Sequence, residues 1–236
     1  MTQERVLGLI PAKGGSVRLA KKNIRELAGK SLLQWTAEAA RSSETLDRIV
    51  VSTEDDEIAE KALELGLEVP FKRPMNLARD PAGVVQVALH ALDTLEAQGD
   101  SFSTLIAMLP TCPLRSSEDI RAAYKLFLEK SRPFLLSVSE FDHTPLAALR
   151  PTDDGRMEPY LPQYFGRKSQ EMPKAYRPNG ALHILDVAAF REAESYIANP
   201  LVGYVMPRER SIDIDTEDDL HAAEYQLSLR HSSAPQ

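Results

Sequence analysis

Short runs of β-branched and aliphatic residues alternate with helical patterns along this chain. That alternation constrains the fold more than any other feature. VLGLI (6–10), RIVVS (48–52), TLIAML (104–109), FLLSVS (134–139), ALHIL (181–185) and YVMP (204–207) read as strands. Several are apolar throughout, as in strands covered on both faces. Between them lie helix patterns. In SLLQWTAEAARS, Leu32, Leu33, Thr36, Ala37 and Ala40 share one face, DDEIAEKALELG stops at Gly66, and Ser116 stands as a cap before EDIRAAYKLFLEK. Alternating β and α predicts an α/β fold, a mostly parallel sheet between helical layers, whose ligands sit at the carboxyl ends of the strands.

The chain has 236 residues, enough for one large domain or a domain with a small appendage. Residues 141–178 break the rhythm: Pro145, Pro151, Pro159, Pro162, Pro173 and Pro178 interrupt any sustained period. A structureless loop of that length is improbable in a compact domain, so the stretch reads as an extended arm or small subdomain. This leaves residues 1–140 and 179–230 as the main domain and 231–236 as a disordered tail. The net charge of −7 disfavours broad nucleic-acid binding, and the single cysteine, Cys112, excludes an internal disulfide and a multi-cysteine zinc site. No apolar run approaches a membrane span, and MTQERVLG lacks a signal-peptide core, so the expectation is a cytoplasmic protein with no membrane partner.

Chemistry concentrates in four strings. IPAKGGSVRLAKKN (10–23) follows the first strand with Gly14, Gly15 and the cations Lys13, Arg18, Lys21 and Lys22. Glycines that free backbone N–H groups, beside cations, are the parts of a phosphate cradle. The string has neither the Walker spacing nor the three-glycine dinucleotide spacing, and a solvated turn is the plainer alternative. In SIDIDTEDDL (211–220), a strand over SIDID would put Ser211, Asp213 and Asp215 on one face. Neighbouring carboxylates on one face repel unless a cation lies between them, and two carboxylates with phosphate oxygens suit Mg2+. A polar edge strand is the alternative. Thr216 would cap the next helix, with Glu217, Asp218 and Asp219 in its first turn.

The third string, LPTCPLRSSED (109–119), ends a strand with two prolines and brings Arg115 to a helix start; Cys112 reads as a small buried residue rather than a nucleophile. In AYRPNGALHI (175–184), Asn-Gly signals a turn, and Arg177 and Asn179 either read a carboxylate or sugar hydroxyls or merely shape that turn. None of the five histidines falls in a metal-ligand spacing. His90 and His221 read as helix surface or as satisfied hydrogen-bonding groups.

Taken in order, IPAKGGSVRLAKKN, DRIVVSTEDDEIAE, RPMNLARD, PTCPLR, PNGALHI and SIDIDTEDDL resemble the CMP-sialic acid synthetases, or acylneuraminate cytidylyltransferases, over nearly the whole chain. The resemblance implies a three-layer Rossmann-like nucleotidyltransferase domain with a small dimerisation arm at 141–178 that completes a partner's site in a homodimer. It implies a reaction in which CTP and a 2-keto sugar acid give a CMP-sugar and pyrophosphate with Mg2+. Carried over by position, Lys13, Arg18, Lys21 and Asp213 would be catalytic. Ala12, Gly14, Gly15, Ser16, Asn23, Arg73 and Ala82 would bind the nucleotide, Leu109, Arg177 and Asn179 the sugar acid, and Asp213 and Asp215 the metal.

The chain also departs from that pattern. Val17 stands where the family usually has a lysine, with Arg18 as the nearest substitute, and Lys13 replaces an arginine, keeping charge without the fork geometry. Leu109 stands where many members carry a glutamine. These changes fall on the phosphate loop and the sugar pocket, which points to a divergent member whose acid is not N-acetylneuraminate. A related nonulosonic acid or a shorter keto-deoxy acid would fit, and a non-catalytic nucleotide-binding protein is the alternative from another class.

Overall fold

A computed structural model describes residues 4–16, 18–131 and 133–232. In chain order the elements are β1 (Val6–Pro11), β2 (Glu26–Leu27), β3 (Lys30–Ser31), α1 (Leu32–Ser42), β4 (Arg48–Ser52), α2 (Asp56–Glu64), α3 (Val84–Ala97), β5 (Thr104–Ala107), α4 (Ser117–Lys130), β6 (Phe134–Glu140), β7 (Leu149–Pro151), β8 (Met157–Pro159), β9 (Tyr176–Asp186), α5 (Val187–Ala193), β10 (Leu201–Val205) and α6 (Glu217–Ser232). Six strands form one sheet in the order β10-β6-β9-β5-β1-β4. β1 runs parallel to β4 and β5, and β6 parallel to β10. β9 is antiparallel to both its neighbours.

The apolar strands are two-sided, as their composition predicts. Ile10, Val51, Ile106 and Ile184 meet the buried faces of α1, α2 and α4 on one side of the sheet. Leu7, Leu9, Leu105 and Leu185 meet α3 and α5 on the other. Leu32, Leu33, Thr36, Ala37 and Ala40 are the buried residues of α1, the stripe its sequence spacing marks out. Ser31, Asp55 and Ser116 cap α1, α2 and α4, each accepting from a backbone N–H in the first turn. Gly66 follows α2 at φ 65°, a left-handed position that suits glycine. α6 forms a third cluster, in which Leu220, Ala223 and Leu227 pack with Leu27, Leu32, Leu114 and Ile214.

Four expectations need correction. The segment 211–215 forms no strand; it is tied by single bonds such as Ile214 N–H to the Thr111 carbonyl at 2.8 Å. Asn179-Gly180 is not a turn before a strand but a bulge inside β9. Leu136 of β6 pairs with His183 and Val138 with Pro178, so the intervening β9 residues buckle out of register. The helix α6 runs on to Ser232, past the expected tail boundary at 231, and residues 233–236 lie outside the described residues. Residues 141–175 form the appendage, with the β7–β8 hairpin and short 3-10 turns, while 176–178 already belong to β9. No described helix is long and apolar enough to cross a membrane.

Candidate active site

Beyond the carboxyl ends of β1, β4 and β5 lies a cavity of about 270 Å3. Its apolar lining comes from the segment leading into α3 and from the first turn of that helix: Leu77, Ala78, Ala82, Val84 and Val87. Its charged lining is Lys13, Lys22, Arg73, Asp213 and Asp215, and Leu109 lines it as well. A second cavity of about 430 Å3 adjoins it, lined by Arg177, Asn179, Arg208, Ser211 and again Asp213. Asp213 therefore stands on the boundary between the two.

The loop after β1 is fixed at both ends. Ala12 N–H donates to the Ser52 carbonyl at 3.0 Å, and the buried Asn23 amide donates to the Lys13 carbonyl at 2.8 Å. Within the loop the N–H groups do not all face outward for an anion. Gly14 N–H donates to Glu54 Oε1 at 2.7 Å and Ser16 N–H to the Gly14 carbonyl at 3.0 Å, because each finds an oxygen close by. Gly15 is exposed. Of the loop residues expected at the nucleotide, Lys13 and Asn23 line the cavity, whereas Ala12, Gly14, Gly15 and Ser16 do not. Val17 lies outside the described residues.

The lysine pair also sorts differently from expectation. Lys21 adopts a left-handed backbone, φ 52°, and its ammonium goes to Glu57 at 2.6 Å, away from the cavity. Lys22 lines the cavity and meets Asp215 at 2.6 Å with only 15 % of its side chain exposed. Arg18 meets the other oxygen of Asp215, also at 2.6 Å. Asp215 is thus held by two cations, while Asp213 forms no ion pair among the described residues. Burial pushes the Asp213 carboxyl up and the Asp215 charge adds to this, against the pull of Thr111 and Lys22.

The segment carrying these aspartates is pinned from several sides. The buried Asp119 accepts from Ser116, from Tyr204 and from both Nε and Nη2 of Arg210 at 2.9 and 2.7 Å, anchoring the turn just before Ser211. Asp219 accepts from the backbone N–H groups of Asp215 and Thr216, so it is structural, as its place in the first turn of α6 implies. Gly180, at φ 73°, lets β9 pass beside Leu109, Cys112 and Asp213, which lie 3.2, 3.3 and 3.8 Å from where a Cβ would stand. The Cys112 thiol donates to the Asn179 carbonyl at 2.9 Å, and burial pushes its pKa up, so it is an inert core group. Arg115 is buried with no ion pair among the described residues; it donates to the Ala181 carbonyl at 2.6 Å and to Thr36 at 2.9 Å, and burial pulls its pKa down to about 10.

In the second cavity the Arg177 side chain has no hydrogen bond or ion pair among the described residues. Asn179 lines the same space, but its amide is committed to Ser137, Ala181 and Ser211. Two residues escaped sequence reasoning. Arg208 lines the cavity while donating to the carbonyls of Glu140 and Phe141 and pairing with Asp142. Glu54, 7 % exposed, pairs with Arg73 at 2.6 Å. An acid just after a strand was the available signal for Glu54; nothing local marked Arg208. His90 is half-buried on α3; its Nδ1 has no partner among the described residues, so it is not a satisfied hydrogen-bonding group, and its ring stands edge-on to Phe71.

The comparisons agree with this architecture. A family model described as cytidylyltransferase matches residues 7–135. The chain is 32% identical over 229 residues to the pseudaminic acid cytidylyltransferase of Campylobacter jejuni subsp. jejuni serotype O:2, covering 97% of this chain and 98% of that protein. It is 32% identical over 231 residues to the CMP-N,N'-diacetyllegionaminic acid synthase of Legionella pneumophila, covering 97% and 99%. Among solved structures, a CMP:2-keto-3-deoxy-manno-octonic acid synthetase complexed with CTP shares the fold at a TM-score of 0.71 and 12% identity, over 96% of this chain and 100% of that one. Charged and apolar residues lining one cavity at the strand ends, a matching family model and relatives aligned end to end place this chain in the cytidylyltransferase family.

Proposed function

We propose that the protein transfers CMP from CTP to the anomeric oxygen of a nonulosonic acid other than N-acetylneuraminate, releasing pyrophosphate. The observation that carries this reading is the pair of cavities meeting at Asp213: one joins cations to an apolar shelf, the other offers the unpaired Arg177 to an acid. The names of the Campylobacter and Legionella relatives support the acceptor class.

In that reading the shelf formed by Leu77, Ala78, Ala82 and Val84 takes the flat base, and Arg73 reads its polar edge. Lys13, Lys22 and Arg18 neutralise the triphosphate, and Arg177 holds the acceptor's carboxylate. The anomeric oxygen attacks the α-phosphorus, the bond from that phosphorus to the bridging oxygen breaks, and pyrophosphate leaves. Asp213, on the boundary, takes the hydroxyl proton. Positioning and charge neutralisation supply most of the rate.

Asp213 and Asp215 suit Mg2+: both are hard oxygen donors on the phosphate cavity, and Asp213 has no cationic partner among the described residues. Mg2+ is commonly held by one or two carboxylates together with substrate oxygens, which is what this pair offers. When bound, Mg2+ neutralises charge on the phosphates. The appendage exposes Met157, Tyr160 and Phe165, at 62 %, 59 % and 64 %, and in this reading it packs against a second copy in a homodimer.

Pyrophosphate release, measured with CTP and a panel of sugar acids with and without Mg2+, tests the reading. Mg2+-dependent release is expected with pseudaminic- or legionaminic-type acids. Turnover with N-acetylneuraminate alone would refute the acceptor assignment, and CTP binding without release from any acid would mark a non-catalytic binding protein.

A further inference from the structure

Glu54 follows β4 and lines neither cavity, yet one carboxylate joins the loop after β1 to Arg73, which lines the first. Its Oε1 accepts from Gly14 N–H at 2.7 Å, and its Oε2 accepts from Arg73 Nε and Nη2 at 3.1 and 2.6 Å. The side chains of Glu54 and Arg73 are 7 % and 3 % exposed. A guanidinium at that depth needs a counter-charge, and Arg73 forms no other ion pair among the described residues. Its backbone is clamped as well, through Arg73 N–H to the Thr53 carbonyl at 2.9 Å. With Nε and Nη2 committed, Nη1 is the remaining edge of Arg73 for whatever occupies the cavity. A Cβ at Gly14 would collide with Asp55 Oδ2, so the loop after β1 sits directly on residues 54–55.

We propose that Glu54 is a positioning residue that couples the two halves of the nucleotide site, setting the Arg73 guanidinium at the base wall and the 12–16 loop at the phosphate wall with one carboxylate. The coupling rests on reading the cavity as a CTP site. Burial pushes the Glu54 carboxyl up, but the N–H groups of Gly14 and of Glu54 itself, with Arg73, hold it below the ordinary carboxylate range, so both oxygens accept. An amide at this position has one accepting atom and must release either the loop or the guanidinium.

Calorimetric titration of wild type, Glu54→Gln, Arg73→Gln and the double variant with CTP, and separately with inorganic tripolyphosphate, tests this. Glu54→Gln is expected to weaken CTP binding by about tenfold to a hundredfold, the range for losing a charged hydrogen bond, and to weaken tripolyphosphate as well. In the Arg73→Gln background the same change should cost CTP much less, since one of its two routes is already gone. In turnover, KM for CTP should rise more than kcat falls, with KM for the sugar acid unchanged. Wild-type affinities in Glu54→Gln, or an equal loss in both backgrounds, would overturn the coupling. Wild-type protein that fails to bind CTP would overturn the underlying reading of the cavity instead. Should Glu54→Gln not fold, amide exchange in wild type decides: slow exchange at Gly14 without nucleotide supports the contact, and exchange as fast as an open loop refutes it.

Discussion

Gly180→Ala isolates what the bulge in β9 does. The new Cβ would lie 3.2 Å from Leu109 Cδ1 and 3.3 Å from Cys112 Sγ, on a backbone at φ 73°. Two costs arise: a left-handed conformation, about 1–2 kcal/mol for a residue with a Cβ, and crowding in a packed interior, about 1–3 kcal/mol. Gly29→Ala separates them. Gly29 has φ 80° in the turn between β2 and β3, and nothing lies within 4 Å of its Cβ position. It therefore carries the backbone cost alone, and the entropy gained in the unfolded chain is common to both and cancels. Gly180→Ala should be less stable than Gly29→Ala by at least about 1 kcal/mol, a further fall in Tm of about 2–4 °C for a chain of this size. Urea unfolding at constant m-value measures the difference. Because Leu109 and Asp213 flank Gly180, kcat/KM should fall in Gly180→Ala and hold in Gly29→Ala. Equal stabilities would refute the packing argument, and equal activities would refute the link between the bulge and the site.

Two further outcomes follow from individual side chains. Lys22→Ala removes a cation that lines the cavity and should cost on the order of a hundredfold in kcat/KM, whereas Lys21→Ala, whose ammonium goes to Glu57, should stay within a few-fold; the reverse order in a steady-state assay would return Lys21 to the site. Burial pushes His183 down to about 4, below its ordinary value of about 6.5. The unfolded chain then binds the extra proton first as pH falls, so stability drops from about pH 6.5 until the folded form titrates near 4. At pH 5 the loss is about 2 kcal/mol. His183→Phe, which keeps a ring against Tyr196, should lose that much less between pH 7 and pH 5 in urea midpoints, and parallel pH profiles would refute the assignment.

Local order was legible in the chain itself. Strand positions, the caps Ser31, Asp55 and Ser116 and the buried stripe of α1 depend on periodicity and on hydrogen bonds within a few residues, which a sequence displays directly. The strings 10–23 and 211–220 announced their chemistry through residue type, and the structure brings Lys22 to Asp215 across 193 positions of sequence. What only the tertiary structure decided is direction. β9 lies antiparallel between β5 and β6, because pairing partners so far apart leave no local trace. SIDID keeps its outward aspartates and buried Ile214 without a ladder, since Thr111, Asp119 and Asp219 hold it instead of a neighbouring strand. Which of two adjacent lysines faces the cavity turned on one left-handed backbone residue. Glu54 gained its two contacts from segments 40 and 19 residues away. Side-chain aim at a site is fixed by non-local packing, and no local pattern encodes it.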